Sequence, residues 1–125
     1  MNKIFKVGLI GCGHISETYF RAEKYFNNIK IVKCADINHS NAIKCAKNFK
    51  IKALTVKELL LDKEIEIILN LTIPKAHYQV AKQALSNGRH VYSEKPLAIN
   101  FKELTTSSEL ISLFSISILM FFTYS

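Results

Sequence analysis

The chain has 125 residues and a mass of 14.2 kDa, with 49% hydrophobic and 22% charged residues, the size and balance of one globular domain, which excludes a multidomain enzyme within it. A chain of this length buries on the order of two thirds of its unfolded surface, enough for a core without disulfide or metal staples. The formal net charge of +7 favours anionic partners, but 15 of the 17 basic residues are lysines scattered without any basic run, which describes a solvated surface and not a nucleic-acid footprint.

Ile4 to Ile10 is short, apolar and β-branched and stops at a glycine cluster, so it predicts a buried strand. Leu9-Ile10-Gly11-Cys12 behind Lys3 and Lys6 superficially resembles a lipoprotein signal, but Lys6 breaks the apolar run well short of the roughly 7 to 15 residues such a region needs. Ile15, Tyr19, Ala22 and Phe26 recur at helical steps, predicting one apolar helix face that ends at Asn27-Asn28. Ile29 to Ala35 predicts a second strand closing at Asp36, and Ser40 to Phe49 a helix with Ser40 as its N-cap and Ala42, Ile43, Ala46 and Phe49 inward. Lys52 to Leu54 predicts a brief strand, and Thr55 with Glu58 three residues on predicts a capping box for a helix over Val56 to Leu61.

Glu66 to Leu71 predicts another central strand. The strongest helix signal follows: His77, Val80, Ala81, Ala84 and Leu85 form a buried stripe, Pro74 suits the first turn, and Gly88 suits the left-handed residue beyond the end. Arg89 to Ser93 predicts a short strand before a Glu94-Lys95-Pro96 turn. After Glu109 no charge appears, and Leu113 to Phe122 is apolar apart from Ser115 and Ser117. That run is too short for the ~20 residues of a membrane span; residues 113–125 are either a sixth strand or the product of a shifted reading frame.

Strands alternating with helices predict an α/β fold, a Rossmann-type doubly wound parallel sheet, because parallel strands need right-handed crossovers whose helices cover both faces. Ligands then bind at the carboxyl ends of the strands, where Gly11 to Ser16, Asp36, Thr72 and Glu94 to Pro96 all fall. Gly11-Cys12-Gly13-His14-Ile15-Ser16 has the strand–turn–helix context of a dinucleotide fingerprint. Gly11 permits the tight turn, Gly13 lets a pyrophosphate approach backbone, and the helix N-terminus offers free N–H groups, whereas Ser16 stands where the third glycine is usual. A plain glycine turn joining strand to helix is the alternative. Asp36, 20 residues beyond Ser16, supports the dinucleotide, since a carboxylate there accepts from ribose hydroxyls and repels a ribose phosphate. NAD is therefore expected, with Asn38 and His39 leaving room for NADP.

His14 is expected to present backbone and pack beside the cofactor; His39 and His90 look structural or exposed, and His77 either serves the site or packs. Cys12 has no adjacent base that would mark it as a nucleophile. Cys12, Cys34 and Cys45 contain no C-x-x-C pair and no histidine at ligand spacing, so neither a disulfide framework nor a metal site is expected, and reduced thiols imply a cytoplasmic setting.

Tyr92-Ser93-Glu94-Lys95-Pro96-Leu97-Ala98 behind His90-Val91, together with the glycine loop and Asp36, closely resembles the N-terminal half of the Gfo/Idh/MocA oxidoreductases, the family of glucose-fructose oxidoreductase and inositol dehydrogenase. The match runs from about Lys3 to Ser112, giving a dinucleotide domain over residues 1–112. The resemblance implies hydride transfer between a nicotinamide cofactor and a sugar, polyol or related hydroxy compound. It implies that Gly11, Gly13 and Ile15 hold the pyrophosphate, with His14 beside them, that Asp36 holds the adenosine ribose, and that Asn70, Leu71, Thr72, Pro74 and His77 line the cofactor cleft. Pro74 stands one residue later than in the family pattern. Lys95 would lie by the nicotinamide and the reacting oxygen, held by Glu94 and Pro96, where a cation stabilises a developing alkoxide.

Family members continue into a second α/β domain that carries substrate contacts, acid/base residues and an oligomerisation sheet. None of it is expected in 125 residues, so the resemblance implies a truncated cofactor module without its general base. A stand-alone NAD-binding module, sensing redox state or pairing with a separate substrate domain, is the alternative. Membrane and nucleic-acid partners are not expected.

Overall fold

The computed structural model describes residues 3–93. In chain order the elements are β1 (Phe5–Ile10), α1 (His14–Ala22), β2 (Ile29–Ala35), α2 (His39–Phe49), β3 (Lys52–Ala53), α3 (Val56–Leu61), β4 (Ile67–Asn70), α4 (Pro74–Ser86) and β5 (His90–Ser93). The strands form one parallel sheet in the order β3-β2-β1-β4-β5, with β1 paired to β2 on one side and to β4 on the other. This is the doubly wound arrangement expected: the chain runs outward from β1 to β3, then returns to β4 and runs the other way. Glu94, Lys95, Pro96 and the apolar run at 113–125 lie outside the described residues. Among the described residues, no helix is long and apolar enough to cross a membrane.

Side chains alternate across the sheet, so two cores form. Ile10, Ala35, Ile68 and Val91 pack with Leu59 and Leu60 of α3 and Val80, Ala81, Ala84 and Leu85 of α4 on one face. Val7, Leu9, Ile31, Cys34 and Leu69 pack with Ala42, Cys45 and Ala46 of α2 on the other, with Tyr19 and Phe20 of α1 at its edge. All five residues read as the buried stripe of α4 are buried. Pro74 opens that helix and Gly88 beyond its end has φ +78°. The Thr55–Glu58 capping box closes reciprocally, Glu58 N donating to Thr55 Oγ1 at 3.1 Å and Thr55 N to Glu58 Oε1 at 2.9 Å. The Thr55 backbone N–H, then the Thr55 hydroxyl, hold the Glu58 carboxyl below the usual range.

Four local expectations are corrected. The α-helix after the glycine loop ends at Ala22 and tightens into a 3-10 turn over Glu23–Tyr25, leaving Phe26 exposed. Glu23 fixes that turn by accepting the Ile31 N–H at 2.8 Å, a contact that helical periodicity does not contain. Asn38, not Ser40, caps α2, its side chain accepting the Ser40 N–H, and α2 rotates so that Cys45 is buried and Ile43 exposed. The stripe of small residues Ala42, Cys45 and Ala46 is what the close packing of α2 on β2 admits. Ile15 is likewise exposed, and Ser16 takes the buried position on α1. Lys33, beside a register shift between β1 and β2, pairs with Asp62 and lies 3.6 Å from Glu64. The hydrogen bond to Lys33 holds the Asp62 carboxyl below its ordinary value.

Candidate functional site

The order of the strands reverses between β1 and β4, so the loops leaving their carboxyl ends diverge to opposite faces and open a crevice. Here Gly11 lies against the start of the β4–α4 loop. Its φ is +105°, and a Cβ built on it would stand 2.5 Å from Leu71 O, 2.6 Å from Leu71 C and 2.9 Å from Thr72 N. Backbone meets backbone, so no side chain can turn aside to make room. Gly11 N donates to Ala35 O at 2.9 Å and Leu71 N to Ile10 O at 2.8 Å, tying the ends of β2, β1 and β4 together at this point.

Gly13 is the N-cap of α1 and brings no side chain to the first-turn N–H groups. A Cβ on Gly13 would meet nothing within 4 Å, so the space beside this cap is open. Ser16, in the third glycine's place, is buried and turns its Oγ back to donate to Gly13 O at 2.6 Å. That contact satisfies the hydroxyl locally and keeps it away from the mouth of the loop. His14 and Ile15 sit exposed on the first turn.

Asp36 follows β2 and reaches the loop. Its Oδ2 accepts Cys12 N–H at 2.7 Å and its Oδ1 accepts Asn38 N–H at 2.8 Å. Each carboxylate oxygen has a second lone pair, so both can still accept from a ligand hydroxyl. Asn70, fully buried at the end of β4, joins three elements. Its Nδ2 donates to His77 O at 2.9 Å and to Ser93 Oγ at 3.1 Å, while its Oδ1 accepts from Thr72 Oγ1 at 2.7 Å. Asn70 therefore positions the first turn of α4 and the end of β5 around the crevice. Leu71 and His77 are buried behind it, and Thr72 and Pro74 stand at its rim.

Gly11, Gly13, Asp36, Asn70 and Thr72 are thus brought together at one sheet edge. Sequence periodicity did not single out Ile37 and Ile73, which are 96% and 67% exposed in the loops after β2 and β4. The available signal was an apolar residue placed just past a strand where polar turn residues are the rule.

Cys12 also opens onto a second feature. Its sulfur, that of Cys34 on β2 and that of Cys45 on α2 all lie within 4.8 Å of one another, a convergence that positions 22 and 11 residues apart do not announce. The nearby Cys12 thiol, then that of Cys34, lowers the Cys45 thiol to about 4. The neighbouring Cys34, then Cys45, raises Cys12 above the usual thiol range. A cavity of about 320 Å³ lies alongside, lined in part by Cys12, Gly13, Lys44 and Cys45.

Residues 5–112 match the family model of the GFO_IDH_MocA oxidoreductases, described as an oxidoreductase family with an NAD-binding Rossmann fold. Glucose-6-phosphate 3-dehydrogenase of Bacillus subtilis (strain 168) is 32% identical over 120 residues, covering 95% of this chain and 34% of its own. Among solved structures, myo-inositol dehydrogenase from Lactobacillus casei in complex with NAD(H) and myo-inositol superposes with a TM-score of 0.80 at 24% identity, over 88% of this chain and 34% of that one. Biliverdin reductase from Synechocystis sp. PCC 6803, in complex with biliverdin and NADP+, gives a TM-score of 0.78 at 26% identity over 86% and 34%. The chain spans about a third of the length of the curated relatives it matches.

Proposed function

Since the chain belongs to the Gfo/Idh/MocA oxidoreductase family and comprises its NAD-binding Rossmann domain, we propose that the crevice between β1 and β4 binds a nicotinamide dinucleotide for hydride transfer to or from a sugar, polyol or related hydroxy compound. The supporting observation is the open, side-chain-free N-terminus of α1 at Gly13, set beside a β2-terminal carboxylate at the sheet's switch point. The N–H groups there, at the positive end of the helix dipole, suit a pyrophosphate.

Gly11 holds the loop close enough to β4 for a single ligand to touch both. Asp36 accepts the adenosine ribose hydroxyls, and the exposed Ile37 beside it offers the adenine an apolar face. Asn70 fixes Thr72 and the start of α4, with Pro74 and His77, along the remainder of the cleft. When bound, the nicotinamide supplies the hydride acceptor or donor. Lys95 follows the last residue of β5 by two positions; in this proposal it is the cation that stabilises the developing alkoxide, with Glu94 and Pro96 as its neighbours in sequence. Three free cysteines suit a cytoplasmic protein.

The test is titration of the purified chain into NADH and NADPH, followed by nicotinamide fluorescence. Saturable one-site binding, tighter for NADH, is expected. Signal that grows linearly with protein for both would overturn the proposal.

A further inference from the structure

The sulfur cluster beneath the glycine loop is not used by dinucleotide binding, and its three members come from three different elements. Cys12 lies in the β1–α1 loop, Cys34 on β2 and Cys45 on α2. In their thiol form Cys12 Sγ donates to Ala35 O and Cys34 Sγ to Ala42 O, each at 3.4 Å. Cys34 and Cys45 are buried and Cys12 is half-buried.

From this geometry we propose that Cys12, Cys34 and Cys45 form a zinc site with three thiolate ligands and a fourth position open to the adjoining cavity. Three sulfurs tetrahedrally arranged about zinc at roughly 2.3 Å stand about 3.8 Å from one another. The sulfurs already lie within 4.8 Å, so each pair closes by no more than about 1 Å, within the reach of thiol rotamers and a glycine-flanked loop. All-sulfur donors exclude magnesium and calcium, which take oxygen ligands.

Charge then separates the thiophilic ions. Three thiolates about Zn²⁺ leave a net charge of −1, whereas about a monovalent ion they leave −2 in a largely buried site, at greater desolvation cost. A single negative charge is matched by Lys44 on the same cavity wall. Among the described residues no His, Asp or Glu completes the group. Water from the cavity that Cys12 and Cys45 line therefore supplies the fourth ligand. No electron transfer is involved, and the bound ion clamps the loop carrying Gly11 and Gly13 to β2 and α2.

The experiment is titration of the reduced full chain with Co²⁺ under anaerobic conditions, without dinucleotide, followed by displacement with Zn²⁺. One equivalent of Co²⁺ is expected to give sulfur-to-cobalt charge-transfer absorption and tetrahedral d–d bands, bleached by one equivalent of Zn²⁺. Cys45→Ser and Cys12→Ser should each weaken zinc by more than about 100-fold, since even outer-shell partners of a metal are worth about 10- to 100-fold. Cys12 sits in a loop and is half-buried, so Cys12→Ser remains informative if Cys45→Ser fails to fold. An octahedral cobalt spectrum, absence of stoichiometric uptake at micromolar metal, or unchanged zinc affinity in Cys12→Ser would overturn the site. Because dinucleotide is absent from the titration, its outcome is independent of NADH binding.

Discussion

Gly11→Ala is expected to abolish the cooperative melt of the chain or lower its midpoint by more than about 10 °C, the equivalent of roughly 3 kcal/mol or more in a domain of this size. Two costs add. The residue holds φ +105°, which a side chain tolerates only at about 1 kcal/mol or more. In addition the methyl would sit 2.5 Å from Leu71 O and 2.6 Å from Leu71 C, and relief of that overlap requires β1 and β4 to separate. Separation stretches the Leu71 N to Ile10 O hydrogen bond of 2.8 Å at the centre of the sheet. For a domain with ~5 to 15 kcal/mol of total stability, that loss is a large fraction.

Gly13→Ala is the matched control. Gly13 has φ −84° and open space at its Cβ position, so the variant should melt within about 1 kcal/mol of the parent. Its methyl nevertheless enters the open space beside the α1 cap, so NADH should bind at least about tenfold more weakly, some 1.4 kcal/mol. Thermal denaturation by circular dichroism and NADH titration separate the two glycines: one is required by the fold and the other by the ligand.

The second large effect is expected at Asp36. Asp36→Ala removes a charged acceptor from the ribose hydroxyls, a contact worth about 1.5 to 3 kcal/mol, so NADH affinity should fall by roughly 10- to 100-fold. The same substitution strands the Cys12 and Asn38 N–H groups that Asp36 now accepts, and part of the loss would be loop disorder. Asp36→Asn distinguishes the contributions, because an amide oxygen keeps one of those backbone bonds while the charge is gone. It should retain most of the melting temperature and narrow the preference for NADH over NADPH, since the carboxylate no longer repels a ribose phosphate. Unchanged preference in Asp36→Asn would mean that the carboxylate does not face the ribose.

The elements were legible where period and punctuation agreed. Along α4 the buried stripe, Pro74 and Gly88 all specify one helix, and the Thr55–Glu58 spacing specifies the start of α3. Legibility failed where a long-range contact decided the outcome. The turn at Glu23 depends on a hydrogen bond to Ile31 of the neighbouring strand, and the rotation of α2 that buries Cys45 in place of Ile43 depends on how near β2 the helix lies. At the site, Gly11, Gly13 and Asp36 could be read from the chain because their spacing reflects one turn and one strand. Asn70 could be placed in the cleft, but its bonds to His77, Thr72 and Ser93 arise only when β4, α4 and β5 are assembled. The sulfur cluster lies furthest from linear pattern, since it is made by the sheet register and by α2 packing back across it.

The most direct measurement is the thermal melt of the purified 125-residue chain with and without NADH. A ligand that binds only the folded state stabilises it by mass action, by about 2.7 kcal/mol at 100 times its dissociation constant. A cooperative melt that moves upward with the logarithm of NADH concentration is the expected result, and a cooperative melt that millimolar NADH leaves in place would contradict a dinucleotide site at the β1–β4 edge.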